Sequence, residues 1–128
     1  MGTEKKILVV DDDPHINELV SALLSARGFG VMSAASGEDA VKMAKAKTPD
    51  LVVLDLLLPR MDGWEVCKIL RSAGAKTGKV PILILSALSR FDSVVSDQEL
   101  IRVSFFSKPF ETSELVAEAE RLLGVSPR

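Results

Sequence analysis

The sequence predicts a three-layer α/β domain, in which a parallel five-stranded sheet carries helices on both faces. Three features predict it. Ile7-Leu8-Val9-Val10, Leu51-Val52-Val53-Leu54 and Ile82-Leu83-Ile84-Leu85 are unbroken apolar runs. A strand with one wet face would alternate with polar residues, so these runs suit parallel strands covered on both sides. Gly30 to Ala34 and Val103 to Phe106 are weaker and more polar, and read as edge strands. Helical segments separate the runs, and five strands alternating with five helices indicate a parallel sheet. Right-handed crossovers leave few topologies for such a (βα)5 chain, and the flavodoxin-like order 2-1-3-4-5 leads among them.

The first run gives way to Asp13-Pro14, after which Ile16, Leu19, Val20, Leu23 and Leu24 recur at helical spacing. Asp13 can cap the free N–H groups, proline fits the first turn, and Gly28 can close the far end. Ser36, with Asp39 three residues on, opens a second helix bearing Val41, Met43 and Ala44. Asp62 and Glu65 resemble a capping box for a third helix with Val66, Ile69 and Leu70. Trp64, in its first turn, is expected on the surface near the acidic residues, and Cys67 is a packing or surface residue of the same helix. The fourth segment, Ser89 to Leu100, mixes Val94 and Val95 with Asp92, Ser93, Ser96 and Asp97, which are poor helix formers. It is expected to be short, irregular or mobile. The last helix starts at about Thr112 and buries Leu115, Val116, Ala119, Leu122 and Leu123.

Bulk properties narrow the function classes. At 128 residues the chain has the size of one domain, assigned here to 1–124, with 125–128 as a tail or the start of a linker. A net charge of -2 gives no global field that would draw it to nucleic acid or an anionic membrane. The lone Cys67 excludes an internal disulfide framework and fits a reducing compartment. The polar start and the brief first apolar run do not make a signal peptide, and no stretch reaches the length of a membrane span. The expected location is cytoplasmic.

The clue to chemistry is what ends each strand. The first run ends in Asp11-Asp12-Asp13, the third in Asp55 and the fourth in Ser86, and Lys108 follows the fifth. In an open parallel sheet these carboxyl ends share one edge, where ligands bind at the switch point between strands one and three. Clustered carboxylates repel, and a hard divalent cation relieves that repulsion; an all-oxygen site with open water positions suits Mg2+. Metal and ammonium could then hold the oxygens of a transferring phosphoryl group while the central carboxylate, Asp55, attacks in line. Ser86 is placed to donate a hydrogen bond to the product. Asp13 is better read as the helix cap, and His15 as a helix-surface residue.

The stretches Ile7 to Pro14, Asp50 to Gly63, Pro81 to Ala87 and Lys108-Pro109-Phe110, in this order and spacing, resemble the response-regulator receiver family over nearly the whole chain. The resemblance implies a two-component signalling switch that takes a phosphoryl group from a phosphohistidine onto Asp55. It implies that Asp12, Asp55 and the backbone carbonyl of Leu57 bind Mg2+ directly, with Asp11 acting mainly through a metal-bound water. Ser86 and Lys108 would engage phosphoryl oxygens, and Phe105 would be the switch aromatic that moves inward as Ser86 shifts. The Lys108-Pro109 bond would be cis. The implied partners are a sensor histidine kinase or histidine phosphotransfer protein and an unknown output protein or attached effector domain. Neither nucleic acid contact by this domain nor a membrane is expected.

Two features depart from the family pattern. The usual Gly-Ala-Asp before the last strand is replaced by Ile101-Arg102-Val103. That loss puts in doubt the charge-paired dimer on the fourth helix, fifth strand and fifth helix, so this dimer is not expected. Leu57 and Leu88, two residues beyond Asp55 and Ser86, should hinder a hydrolytic water and lengthen the life of the phosphoryl state. Two other readings stay open: a receiver-like interaction module with an altered switch surface, and a Mg2+-dependent aspartyl phosphatase or phosphotransferase. The latter typically needs an acid where Leu57 stands.

Overall fold

The computed structural model describes residues 4–74, 76–86, 103–108 and 110–125. Its strands are β1 (Lys6–Val10), β2 (Gly30–Ala34), β3 (Leu51–Asp55), β4 (Ile82–Ser86) and β5 (Val103–Ser107). Its described helices are α1 (Pro14–Ser25), α2 (Gly37–Ala46), α3 (Gly63–Ser72) and α4 (Thr112–Leu123), with a 3-10 turn at Thr77–Lys79. All strand pairs are parallel and the order is β2-β1-β3-β4-β5, as expected. The two strands read as edges are the edges. The segment Ser89 to Leu100, Leu88, and the Lys108-Pro109 bond lie outside the described residues.

The unbroken apolar runs are explained by two cores. Leu8, Val10, Val52, Leu54, Ile82 and Ile84 point to one face and pack with Ala40, Ala44, Val66 and Leu70. Ile7, Val9, Leu51, Val53, Leu83 and Leu85 point to the other and pack with Val20, Leu24, Leu115 and Ala119. Successive side chains of a strand alternate between faces, so each central strand must be apolar at every position to fill both layers.

The helix starts are set by the residues that the sequence marks. Asp13 Oδ1 accepts from the His15 N–H at 2.9 Å and the Ile16 N–H at 3.4 Å. Ser36 Oγ accepts from the Asp39 N–H at 3.2 Å, and Asp62 Oδ1 from the Glu65 N–H at 3.0 Å. Each bond satisfies a donor that the helix itself cannot, worth about 1 kcal/mol. Gly124 ends α4 with φ +71°, the left-handed conformation that glycine adopts without a Cβ clash.

One expectation is corrected here. Trp64 is buried, only 7% exposed, and its ring centroid lies 5.7 Å from that of Phe105 on β5. The reason is the close seat of α3 on β3: a Cβ on Gly63 would lie 2.7 Å from both the Asp55 carbonyl oxygen and the Leu56 Cα. With the helix start pressed onto the sheet, Trp64, Cys67 and Leu70, three residues apart, all face inward. Cys67 is a packing residue, fully buried. Phe105 and Phe106 pack against opposite cores, as their alternation requires.

Candidate functional site

The carboxyl ends of β1, β3 and β4 and the residue after β5 meet at one edge of the sheet. Asp11 follows β1 and is 3% exposed, Asp55 ends β3 and is 6% exposed, and Asp12 points to solvent. Carboxylate oxygens from all three lie within 4.8 Å of one another. Lys108 reaches over the end of β4 to place its Nζ 3.0 Å from Asp11 Oδ2 and 3.3 Å from Asp55 Oδ2. Its own N–H donates to the Ser86 carbonyl oxygen at 3.0 Å, which fixes where the side chain departs.

The electrostatics follow from burial. Desolvation raises the Asp55 carboxyl above the ordinary aspartate value, and the neighbouring Asp11 charge adds to this. The Leu57 N–H, donated to Asp55 Oδ1 at 3.1 Å, and the Lys108 ammonium oppose it. Burial also works against the charged form of Lys108, but the hydrogen bond to Asp11 and the charges of Asp55 and Asp11 outweigh it, so Lys108 sits above the ordinary lysine value. Three carboxylates against one ammonium leave two negative charges in a small, mostly buried volume. At about 4 Å and an effective dielectric near 20, each unpaired repulsion costs about 4 kcal/mol. An all-oxygen, doubly negative cluster with one solvent-facing member fits a hard divalent cation that keeps part of its water.

The remaining expected residues are placed as follows. Ser86 ends β4, buried, one residue past Leu85, the register partner of Asp55. Phe105 pairs in register with Ile84 and lies against the α3 side of the core. Leu57 is 54% exposed in the loop after β3. His15 is exposed on α1. Sequence reasoning missed Asn17, whose side chain bonds the Asp11 carbonyl. The available signal was a poor helix former inside an otherwise regular α1.

A model of the response regulator receiver domain matches residues 7–120. The chain belongs to that family. Receiver domains are the signalling switches of two-component systems and typically bind Mg2+. This receiver domain is 42% identical to the alkaline phosphatase synthesis transcriptional regulatory protein PhoP of Bacillus subtilis, over 93% of this chain and 48% of that one. It is 36% identical to the DNA-binding dual master transcriptional regulator RpaA of Synechocystis sp., over 92% of this chain and 48% of that one. The chain therefore spans about half the length of the curated relatives it matches. Among solved structures, it is similar to the receiver domain of a sensor histidine kinase from Pseudomonas aeruginosa PAO1, with a magnesium ion coordinated in the active-site cleft. The TM-score is 0.82 at 28% identity, covering 95% of this chain and 99% of that one.

The relatives correct the partner expectation, which gave an unknown output protein or attached effector domain and no nucleic acid contact by this domain. They are named as transcriptional regulators, and RpaA as DNA-binding. The charge argument misled because a net charge of -2 describes the field of this receiver domain alone. Among the described residues no helix is long and apolar enough to cross a membrane.

Proposed function

We propose that this receiver domain accepts a phosphoryl group on Asp55 and that the modification controls a DNA-binding, transcriptional output. The observation that carries the proposal is the single Lys108 ammonium shared by Asp11 and Asp55, with the Asp12 carboxylate beside them. Asp11, Asp12, Asp55 and the Leu57 carbonyl would hold Mg2+, which when bound neutralises the charge that repels an anionic donor. An Asp55 carboxylate oxygen forms the new O–P bond as the N–P bond of a partner phosphohistidine breaks. Lys108 is within reach to transfer a hydrogen bond from Asp55 to a phosphoryl oxygen, and Ser86 supplies a second from the end of β4. Phe105, one strand over and in tilted ring contact with Trp64, is the side chain whose movement passes the change to the surface. We assign 1–124 to the switching domain and 125–128 to a tail or linker, in keeping with the end of α4 at Leu123.

The place two residues after Asp55 holds the apolar Leu57, where an aspartyl phosphatase needs an acid, so phosphate-ester turnover is not supported. The test is incubation with Mg2+ and acetyl phosphate or phosphoramidate, followed by intact mass. Wild type is expected to gain one phosphoryl group and Asp55→Ala none. An equal gain in Asp55→Ala, or none in wild type, would sink the assignment. Leu57→Asn is expected to shorten the half-life of the phosphorylated form several-fold, by giving water a hydrogen-bonding foothold at the acyl phosphate; an unchanged decay rate would remove Leu57 as a shield.

A further inference from the structure

We infer that Asn17 is a positioning residue for the cation site, because its side-chain amide ties the turn carrying Asp11 and Asp12 to the end of β2. This rests on the reading of the acidic cluster as a Mg2+ site. Asn17 Nδ2 donates to the Asp11 carbonyl oxygen at 3.0 Å and to the Ala34 carbonyl oxygen at 3.1 Å. Its Oδ1 accepts from Ser21 Oγ, one helical turn on, at 3.3 Å. Both amide protons are spent on oxygens that can only accept, and this dictates which way the amide is turned.

With this tie in place, every polar group of Asp11 is held. Its N–H donates to the Ala34 oxygen at 3.1 Å and its carbonyl accepts from Asn17. Its Oδ1 accepts from the Asp13 N–H at 2.9 Å, and its Oδ2 from Lys108 at 3.0 Å. Two of these four partners are main-chain groups and one is the site's own ammonium. Asn17 is the one side chain from outside the charged cluster. Carboxylates that repel one another drift apart unless the backbone beneath them is fixed, and the Asp11 carbonyl belongs to the peptide that leads into Asp12. Fixing it sets the point from which the solvent-facing Asp12 carboxylate is projected. Asparagine is a poor helix former, so the tie rather than the helix accounts for its place in α1.

The test is calorimetric titration of the whole chain with MgCl2 alone, beside a thermal melt of each variant. Asn17→Leu keeps the volume but has no donors, and is expected to bind Mg2+ about tenfold more weakly, the usual loss when a group that holds a metal ligand is removed. Arg27→Ala is the control. It removes a partner of the buried Glu120 carboxylate, 3.7 Å away beyond the C-terminal end of α1, and is expected to lower the melting temperature. Its Mg2+ affinity is expected to stay at the wild-type value, with Asn17→Ser, which keeps one donor, between the two. Asn17→Leu binding within twofold of wild type would overturn the inference, as would an equal weakening in Arg27→Ala. Wild type failing to bind Mg2+ would overturn the metal site and this inference together, a result distinct from either. Should Asn17→Leu not fold, Asn17→Ala, which removes both donors and leaves a strong helix former, makes the same comparison: weaker binding supports the role, unchanged binding overturns it.

Discussion

Lys108 is the residue on which the opposing charges balance, and its removal separates attraction from repulsion. Its side chain is 21% exposed while those of Asp11 and Asp55 are 4% and 7% exposed, so the carboxylates cannot turn to water if the ammonium is lost. Lys108→Met is expected to destabilise the metal-free protein by about 2 kcal/mol or more, because it strands buried charges. Asp55→Asn should act in the opposite direction and stabilise the metal-free chain, since it relieves the desolvated, repelled carboxylate. Urea unfolding in the presence of a chelator measures both, and the same sign for the two changes would refute this account. Much of the site was legible residue by residue. Asp55 and Ser86 end apolar runs where core packing has no use for a polar group, and the acids after β1 and the lysine after β5 fall on the same edge. Asn17 was legible only as a poor helix former inside α1; its role was not, because its contacts are to carbonyl oxygens, which every residue possesses and no sequence pattern marks.

At the scale of elements, α3 is the piece most tightly bound to the chemistry. Gly63→Ala would drive a methyl group into the Asp55 carbonyl and the Leu56 Cα, backbone atoms that cannot step aside. The expected cost is about 1–3 kcal/mol with a displaced Asp55; a denaturation midpoint equal to wild type would show that the helix has room to lift. On α4, Arg121 grips Glu118 through two bonds of 2.8 and 2.6 Å. Those bonds hold the Glu118 carboxyl below the ordinary glutamate value, against the effect of burial and with help from Ser104. A depressed carboxylate contributes stability above its unfolded pKa and loses it as pH falls through the lower folded one. The contribution is therefore intact at neutral pH and vanishes only on the acid side of the normal range. It is small, as befits a solvent-screened helix pair. A side-chain carboxyl NMR titration of wild type and Arg121→Gln checks it, the variant moving Glu118 back toward the ordinary value. Strands and caps were readable from sequence because burial on two faces and orphan N–H groups leave little choice of residue. Trp64 was not, because a first-turn position looks exposed until the closeness of α3 to β3 is known.

For the whole molecule, ligand binding and folding are one equilibrium. A cation that binds only the assembled acidic edge stabilises the fold by an amount that grows with its concentration, about 2.7 kcal/mol at about a hundred times Kd. MgCl2 is expected to raise the melting temperature of wild type and to leave that of Asp12→Ala nearly unchanged, since Asp12 is the solvent-facing acid of the cluster. Equal shifts in the two proteins would place the cation elsewhere.

The bond between Lys108 and Asp11 joins positions 97 residues apart, just past the first and last strands in chain order. Almost the entire polypeptide must be correctly threaded before amine and acid can meet. A nascent or frayed chain missing its final strand therefore bears a bare anionic notch in place of a paired one. The paired notch is in this way a built-in report that folding has finished.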